Sequence, residues 1–214
     1  MARGSEAFWD GISAKYAARP VSDPASYDHT LERTRAYLSP GDRVLELGCG
    51  TGTTALRLAG DVAHITASDI SAEMLAIGAR KAAEAGAQNV TFLHADVHAA
   101  AASGEPHDAV LAFNLFHLTG SLPESLAAAA SLVKPGGYLI SKTICLAGKP
   151  LIGLLVRAMG LVGKAPKVTF VSIGELDRAI TAAGLEIVET GVFPKSPPAR
   201  FVVARKAGQA RRPE

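Results

Sequence analysis

The chain predicts one α/β domain, a doubly wound and mostly parallel sheet of seven strands with an antiparallel C-terminal hairpin. Three observations carry this reading. Short apolar runs alternate with segments of helical periodicity from residue 43 onward, the pattern of a parallel sheet covered on both faces. The 214 residues, 48% of them hydrophobic, suit a single packed core. The last two strand runs are joined by "PKSPP", too short for a crossover helix, so they must pair antiparallel.

The elements follow in order. "SEAFWDGISAKYAARP" reads as a helix with Ser5 as its cap and Phe8, Ile12 and Tyr16 on one face. A second helix over roughly 23–38 ends at the turn signal "SPGD". Residues 1–38 thus form a helical cap on a domain spanning 39–206. "RVLELG" is the first strand, followed by a helix at 52–60. "AHITASD" precedes a helix at 71–86, and "VTFLHAD" precedes a short Ala-rich piece. "HDAVLAFN" precedes a helix at 121–133, and "GYLISKTI" is the fifth strand. Beyond an unusual stretch at 145–168, a helix near 172–183 leads to "LEIVETGVF" and "ARFVVARK". The basic, Gly- and Pro-containing remainder, 207–214, reads as a frayed tail.

Composition narrows the function. A formal charge of +2, with no aromatic-basic array, gives no support to a nucleic-acid partner. Cys49 and Cys145 do not make a disulfide framework, which suggests a reducing cytoplasm. Residues 1–20 carry Glu6, Asp10, Lys15 and Arg19 and do not resemble a signal peptide. No run of about 20 uninterrupted apolar residues supports a membrane span. No metal is expected.

Chemistry gathers where strands end. In sheets of this kind ligands bind beyond the carboxyl ends of the strands, near the switch in strand order. The first strand ends at Glu46 and a loop with Gly48, Cys49, Gly50 and Gly52. The second presents Asp69, about 20 residues beyond the loop, where a ribose-binding acid is expected. The third presents Asp96, and the fourth Asn114 and then His117. Each has a plainer reading: a tight connection for the glycines, a helix cap for Asp69 or Asp96, a turn for Asn114. The constellation at one sheet edge carries the inference. A dinucleotide fingerprint is the competitor, but Thr53 stands where its last glycine belongs. Glu46 would repel a pyrophosphate and could receive an ammonium group. The expected ligand therefore carries an amine and a nucleoside with no phosphate between them.

Those residues resemble the class I S-adenosylmethionine (SAM)-dependent methyltransferases. "VLELGCGTG" looks like the family's first motif, "ASDIS" its ribose motif, "HADV" its adenine motif and "LVKPGGYLI" its later turn and strand. The likeness covers about residues 40–145 closely and implies a Rossmann-like fold with SAM as cofactor and S-adenosylhomocysteine (SAH) as product. It implies that Glu46 and the Gly48–Gly52 backbone, Cys49 included, hold the methionine end. Asp69 would accept the ribose hydroxyls, with Ile70 and Met74 beside adenine. Asp96 would receive the adenine amino group, Val97 would give a backbone contact, and the Asn114 carbonyl would lie near the sulfonium. The methyl group would pass by in-line displacement to a small, partly apolar acceptor. The catalytic residue stays unknown. His117 is the best-placed base candidate, and Tyr16 resembles a lid tyrosine found in many relatives. A SAM-binding protein without transferase activity, or an NAD-dependent oxidoreductase, is the alternative.

The stretch 145–168 is not explained by the motifs. Leu151–Val162 is apolar apart from Arg157, and no Asp or Glu occurs between Glu124 and Glu175. A helix apolar nearly all round must bury against something. It could wall the acceptor pocket, with Leu155 and Met159 one turn apart, dock in a homodimer, or rest on an anionic membrane surface. The pocket wall is the favoured reading.

Overall fold

The computed structural model describes residues 2–148, 166 and 168–208. Helix α1 (Ala2–Ala17) begins three residues before Ser5, so Ser5 lies within the helix and does not cap it. Helix α2 (Pro24–Arg35) starts where its sequence dictates. Asp23 caps it, accepting the Ser26 N–H, and Pro24 occupies the first turn, where no amide donor is needed.

The core then alternates. Strand β1 (Arg43–Leu47) leads through the glycine loop to α3 (Thr53–Leu58), and β2 (His64–Asp69) to α4 (Ala72–Glu84). Strand β3 (Val90–His94) is followed by α5 (Val97–Ser103), and β4 (His107–Phe113) by a 3₁₀ turn, Phe116–Leu118, and α6 (Leu122–Ser131). Strand β5 (Val133–Ile144) begins before the expected "GYLISKTI" by taking in the Lys-Pro-Gly-Gly turn. After α7 (Ile173–Ala182), strands β6 (Leu185–Lys195) and β7 (Pro198–Lys206) form the hairpin. Helix α4 illustrates the local logic: Ser71 caps it through the Met74 N–H, and Met74, Leu75, Gly78 and Ala82 make its buried face. Helix α7 starts on a reciprocal Ser172–Glu175 capping box and buries Leu176 and Ile180, one turn apart.

The strand order is β3-β2-β1-β4-β5-β7-β6, parallel through β5. Strand β7 is inserted antiparallel between β5 and β6. This is the expected seven-stranded sheet with its antiparallel end. One apolar cluster, including Phe116, Leu126 and Leu176, fills one face; a second, including Leu31, Leu58 and Phe201, fills the other. Helix α2 is tied to the hairpin by Arg33, whose Nε and Nη2 donate to the two Glu189 carboxylate oxygens at 2.7 and 2.6 Å. The Tyr37 hydroxyl donates to the same carboxylate at 2.7 Å. Strand order reverses direction between β1 and β4, so a crevice opens at their carboxyl ends.

Candidate active site

The glycine loop leaves β1 in left-handed backbone at Gly48, Gly50 and Gly52, with φ of 68°, 54° and 69°. Side chains are disfavoured at all three, but for different neighbours. A Cβ on Gly48 would come within 2.8 Å of Leu115, and one on Gly52 within 2.8 Å of the Phe92 ring. At Gly50 the nearest atoms, Met74 Sδ and Tyr16 Cε1, are 3.6 Å away. The clearance at Gly52 serves packing, and Gly52 does not line the cavity described below. That departs from the expectation that the whole glycine run faces a ligand.

Asp69 straps this loop to the next helix. Its Oδ2 accepts the Gly50 N–H at 2.8 Å and its Oδ1 the Ser71 N–H at 2.9 Å. The Cys49 N–H donates to the Ser68 carbonyl at 2.9 Å. Asp96 caps α5, its Oδ1 accepting the Ala99 N–H at 2.8 Å. Asn114 is held at φ 55°, and its N–H donates to the Lys142 carbonyl at 2.7 Å.

These elements surround a cavity of about 1120 Å³. Glu46, Gly48, Cys49, Gly50 and Asp69 line it from the ends of β1 and β2. Ile70, Met74, Asp96 and Val97 continue the wall, and Asn114 and His117 close it beyond β4. Tyr16 reaches in from α1 although the residue as a whole is 48% exposed. Leu155 and Met159 lie outside the described residues. The residues flanking that stretch, Ile144, Leu146, Pro166 and Val168, are all in the cavity lining.

The electrostatics are unusual at Glu46. It is 3% exposed, and its Oε2 finds no hydrogen-bond partner among the described residues. Burial pushes it up to about 8, opposed by a hydrogen bond from the Ala55 backbone and reinforced, less strongly, by the Asp69 charge. Asp69 is also raised by burial, partly offset by backbone donors at Ser71, Gly50 and Ile70. Burial raises the Tyr16 hydroxyl, with Asp69 and Glu46 adding to the shift, and raises the Cys49 thiol too, so neither is a ready nucleophile. His117 is buried, its Nδ1 has no partner among the described residues, and desolvation lowers it to about 4. It is a neutral imidazole at pH 7.

Two further lining residues escape a reading by motif. Tyr27 of α2 pairs with Thr54 of α3 at 3.1 Å, closing the roof of the cavity. Lys142 enters from β5, only 8% exposed. The signal for it was in the sequence: a lysine inside "GYLISKTI", a run otherwise suited to a buried strand.

Known proteins share this sequence pattern and fold. The methyltransferase-domain family matches residues 44–137. The chain is 35% identical to the demethylmenaquinone methyltransferase of Clavibacter sepedonicus over 126 residues, 58% of this chain and 49% of that protein. It is 32% identical to the ubiquinone biosynthesis O-methyltransferase of Thiobacillus denitrificans over 162 residues, 73% of this chain and 69% of that one. The chain thus spans about half of the first relative's length and about two thirds of the second's. Among solved structures, the magnesium protoporphyrin IX methyltransferase of Synechocystis PCC 6803 with bound SAM matches with a TM-score of 0.75. That match covers 96% of this chain and 97% of the other at 18% identity, a likeness of fold.

Proposed function

The chain belongs to the class I SAM-dependent methyltransferase superfamily, and from that premise we propose that it transfers the SAM methyl group by in-line displacement to a small, partly apolar acceptor. The observation that carries the proposal is the orphaned Oε2 of buried Glu46. A buried carboxylate oxygen without a partner is costly, and the cofactor's ammonium would supply one. A pyrophosphate in its place would meet like charge.

The residues fit the rest of the cofactor. Gly50 leaves its backbone bare on the cavity side, which suits the methionine end, with Gly48 and Cys49 beside it. Gly52 shapes the loop through its φ and its packing on Phe92. Asp69 already accepts two amide protons, but a carboxylate offers about four acceptor positions, so ribose hydroxyls can still pair with it. Ile70 and Met74 would flank adenine, with Asp96 and Val97 at its polar edge and the Asn114 carbonyl beside the sulfonium. Beyond that carbonyl the cavity continues to Lys142, Ile144 and Val168, space that a SAM-binding protein without an acceptor would not need.

A sulfonium supplies an already activated methyl group. What the protein adds is alignment of the acceptor, which can contribute about 7–11 kcal/mol in favourable cases. His117, lowered to about 4, has a free lone pair but little affinity for a proton. It suits a hydrogen bond from the acceptor's hydroxyl or N–H, holding that atom in line, better than full proton abstraction. The stretch 145–168, with Leu155 and Met159, is proposed as the apolar wall of the pocket, a reading supported by the described residues at both ends of it that line the cavity. This reading stands ahead of a homodimer contact or a membrane contact. A cytoplasmic setting is supported by the two free cysteines, Cys49 and Cys145. No helix among the described residues is long and apolar enough to cross a membrane.

Calorimetric titration with SAM, SAH and NAD tests the assignment. SAM and SAH should bind, and NAD should bind no better than either. Tight NAD binding without SAM binding would overturn it.

A further inference from the structure

Lys142 raises a separate question, because its charge has no ion-pair partner among the described residues. It sits between Ser141 and Thr143, both fully buried. Its ammonium donates to Thr30 Oγ1 at 2.9 Å and, more weakly, to the Ser26 carbonyl at 3.4 Å, and it lies 5.3 Å from the centre of the Phe193 ring. All three neighbours are neutral. Among the described residues it makes no ion pair. The undescribed stretch after β5 cannot neutralise it, since 149–167 contains no Asp or Glu. Asp23 is the acid whose charge acts on it, but the two make no ion-pair contact, and each Asp23 oxygen accepts a bond from Ser26.

A lysine in such a place is unusual, because buried ammonium groups are almost always paired. Three N–H donors meet two acceptors, one of them distant, and the cavity is the remaining direction. Its place in the sheet is informative. Lys142 pairs in register with Phe113, and its carbonyl holds the Asn114 amide. It therefore stands one strand beyond the carbonyl assigned to the sulfonium. Of the lining acids, Glu46, Asp69 and Asp96 stand on the other side of that strand, at the ends of β1, β2 and β3, while Glu124 lines the cavity from the first turn of α6.

We propose that Lys142 is the anion-recognising residue of the acceptor pocket and that the acceptor carries an anionic oxygen, either a carboxylate or an ionised hydroxyl. This rests on the methyltransferase reading and deepens it. Lys142 attracts the anionic end of the acceptor toward β5, away from Asp69 and Asp96 at the ends of β2 and β3. The opposed charges turn the acceptor, so that its anion lies at β5 and its methylated atom faces Asn114. Retaining an unpaired cation lowers the stability of the empty fold, a common cost at binding sites.

The test uses the full chain saturated with SAH and two matched pairs of probes, benzoate against benzamide and 4-nitrophenolate against 4-nitroanisole. At least one anion should bind tenfold or more tightly than its neutral counterpart, and which one identifies the carrier. K142M should abolish that preference, leave SAH affinity unchanged and keep or raise the Tm of the ligand-free protein. K142R should retain much of the preference, which a proton-abstracting role for the amine would not allow. Absence of any anion preference in the unmodified chain overturns the proposal. So does a K142M variant that keeps the preference, or one whose Tm falls with the probe ratios unchanged, since that marks a structural lysine. Failure of SAH itself to bind would instead defeat the methyltransferase reading.

Discussion

The two halves of the cavity are built by different means. The cofactor half is mostly backbone and short side chains at the ends of β1, β2 and β3, held by local bonds such as Asp69 to Gly50 and Ser71. The acceptor half is assembled from α1, α2, the turn after β4, β5 and the residues on either side of 149–165. Its contacts are side chains brought from distant parts of the chain, such as Lys142 on Thr30. On the proposed reading the first half meets a ligand whose chemistry is fixed, and the second meets the methyl acceptor. One should therefore respond to single changes in cofactor affinity, and the other in acceptor KM.

The sharpest way to break that division is at Glu46. E46Q keeps the volume but removes the charge that would face the cofactor ammonium, and SAH binding should weaken by about 3–5 kcal/mol, as for a buried pair stripped of one partner. The same site predicts a pH dependence. A carboxyl raised from 4.5 to about 8 withdraws stability from the ligand-free fold as pH rises between those values, and E46Q should remove that slope in denaturation curves. Binding needs the ionised form, so SAH affinity should strengthen as pH rises toward about 8, with release of a proton measurable by calorimetry in buffers of different ionisation heat. Binding that is flat over this range would remove Glu46 from the cofactor half.

Asp69→Ala comes next, with an expected loss of about 1.5–3 kcal/mol in SAM affinity, the range for a hydrogen bond to a charged group. An unchanged dissociation constant would leave Asp69 as a strap for the loop only. On the acceptor side, changing Leu155 and Met159 together to Ser should raise acceptor KM about tenfold, the low end of what burying one such side chain contributes. SAM affinity should hold. A shift to monomer in sedimentation, or lost binding to anionic vesicles, would move that segment from the pocket to an interface. The smallest effect is expected at His117. With a hydrogen bond worth about 0.5–1.5 kcal/mol, H117F should lower kcat/KM by no more than about tenfold. A drop of a hundredfold or more would make the imidazole a true base.

The same contrast explains what the sequence made legible. The sheet and its order of elements were readable because buried parallel strands are continuous apolar runs and helices carry capping signals, as at Ser71 and Ser172. The proposed cofactor side could be suggested because a ligand approaching backbone calls for glycines and acids at fixed offsets. Even there, Gly52 is ambiguous in sequence, since a clearance for Phe92 and one for a ligand look alike in one dimension. Ser5 misled for a related reason: a hydroxyl residue before a periodic run also fits inside a helix that begins earlier. Lys142 was hidden for the opposite reason. Its meaning depends on Thr30 and Phe193, more than a hundred and about fifty positions away, and on its having no ion-pair partner among the described residues. No spacing rule encodes that.

The position of β7 carries a consequence for how the protein is made. Strand β6 emerges from the ribosome before β7 yet lies outside it in the sheet, so β6 has no partner until residues 198–206 follow. Until then β5 presents an unpaired edge from Tyr138 to Ile144, flanked by apolar surface that Phe201, Val202 and Val203 will later cover. An open strand edge of that kind invites pairing with another nascent chain. Synthesis that pauses or stops before β7 should therefore yield aggregates, however complete the cofactor loop already is, and fusions or tags are best kept clear of this late-arriving strand.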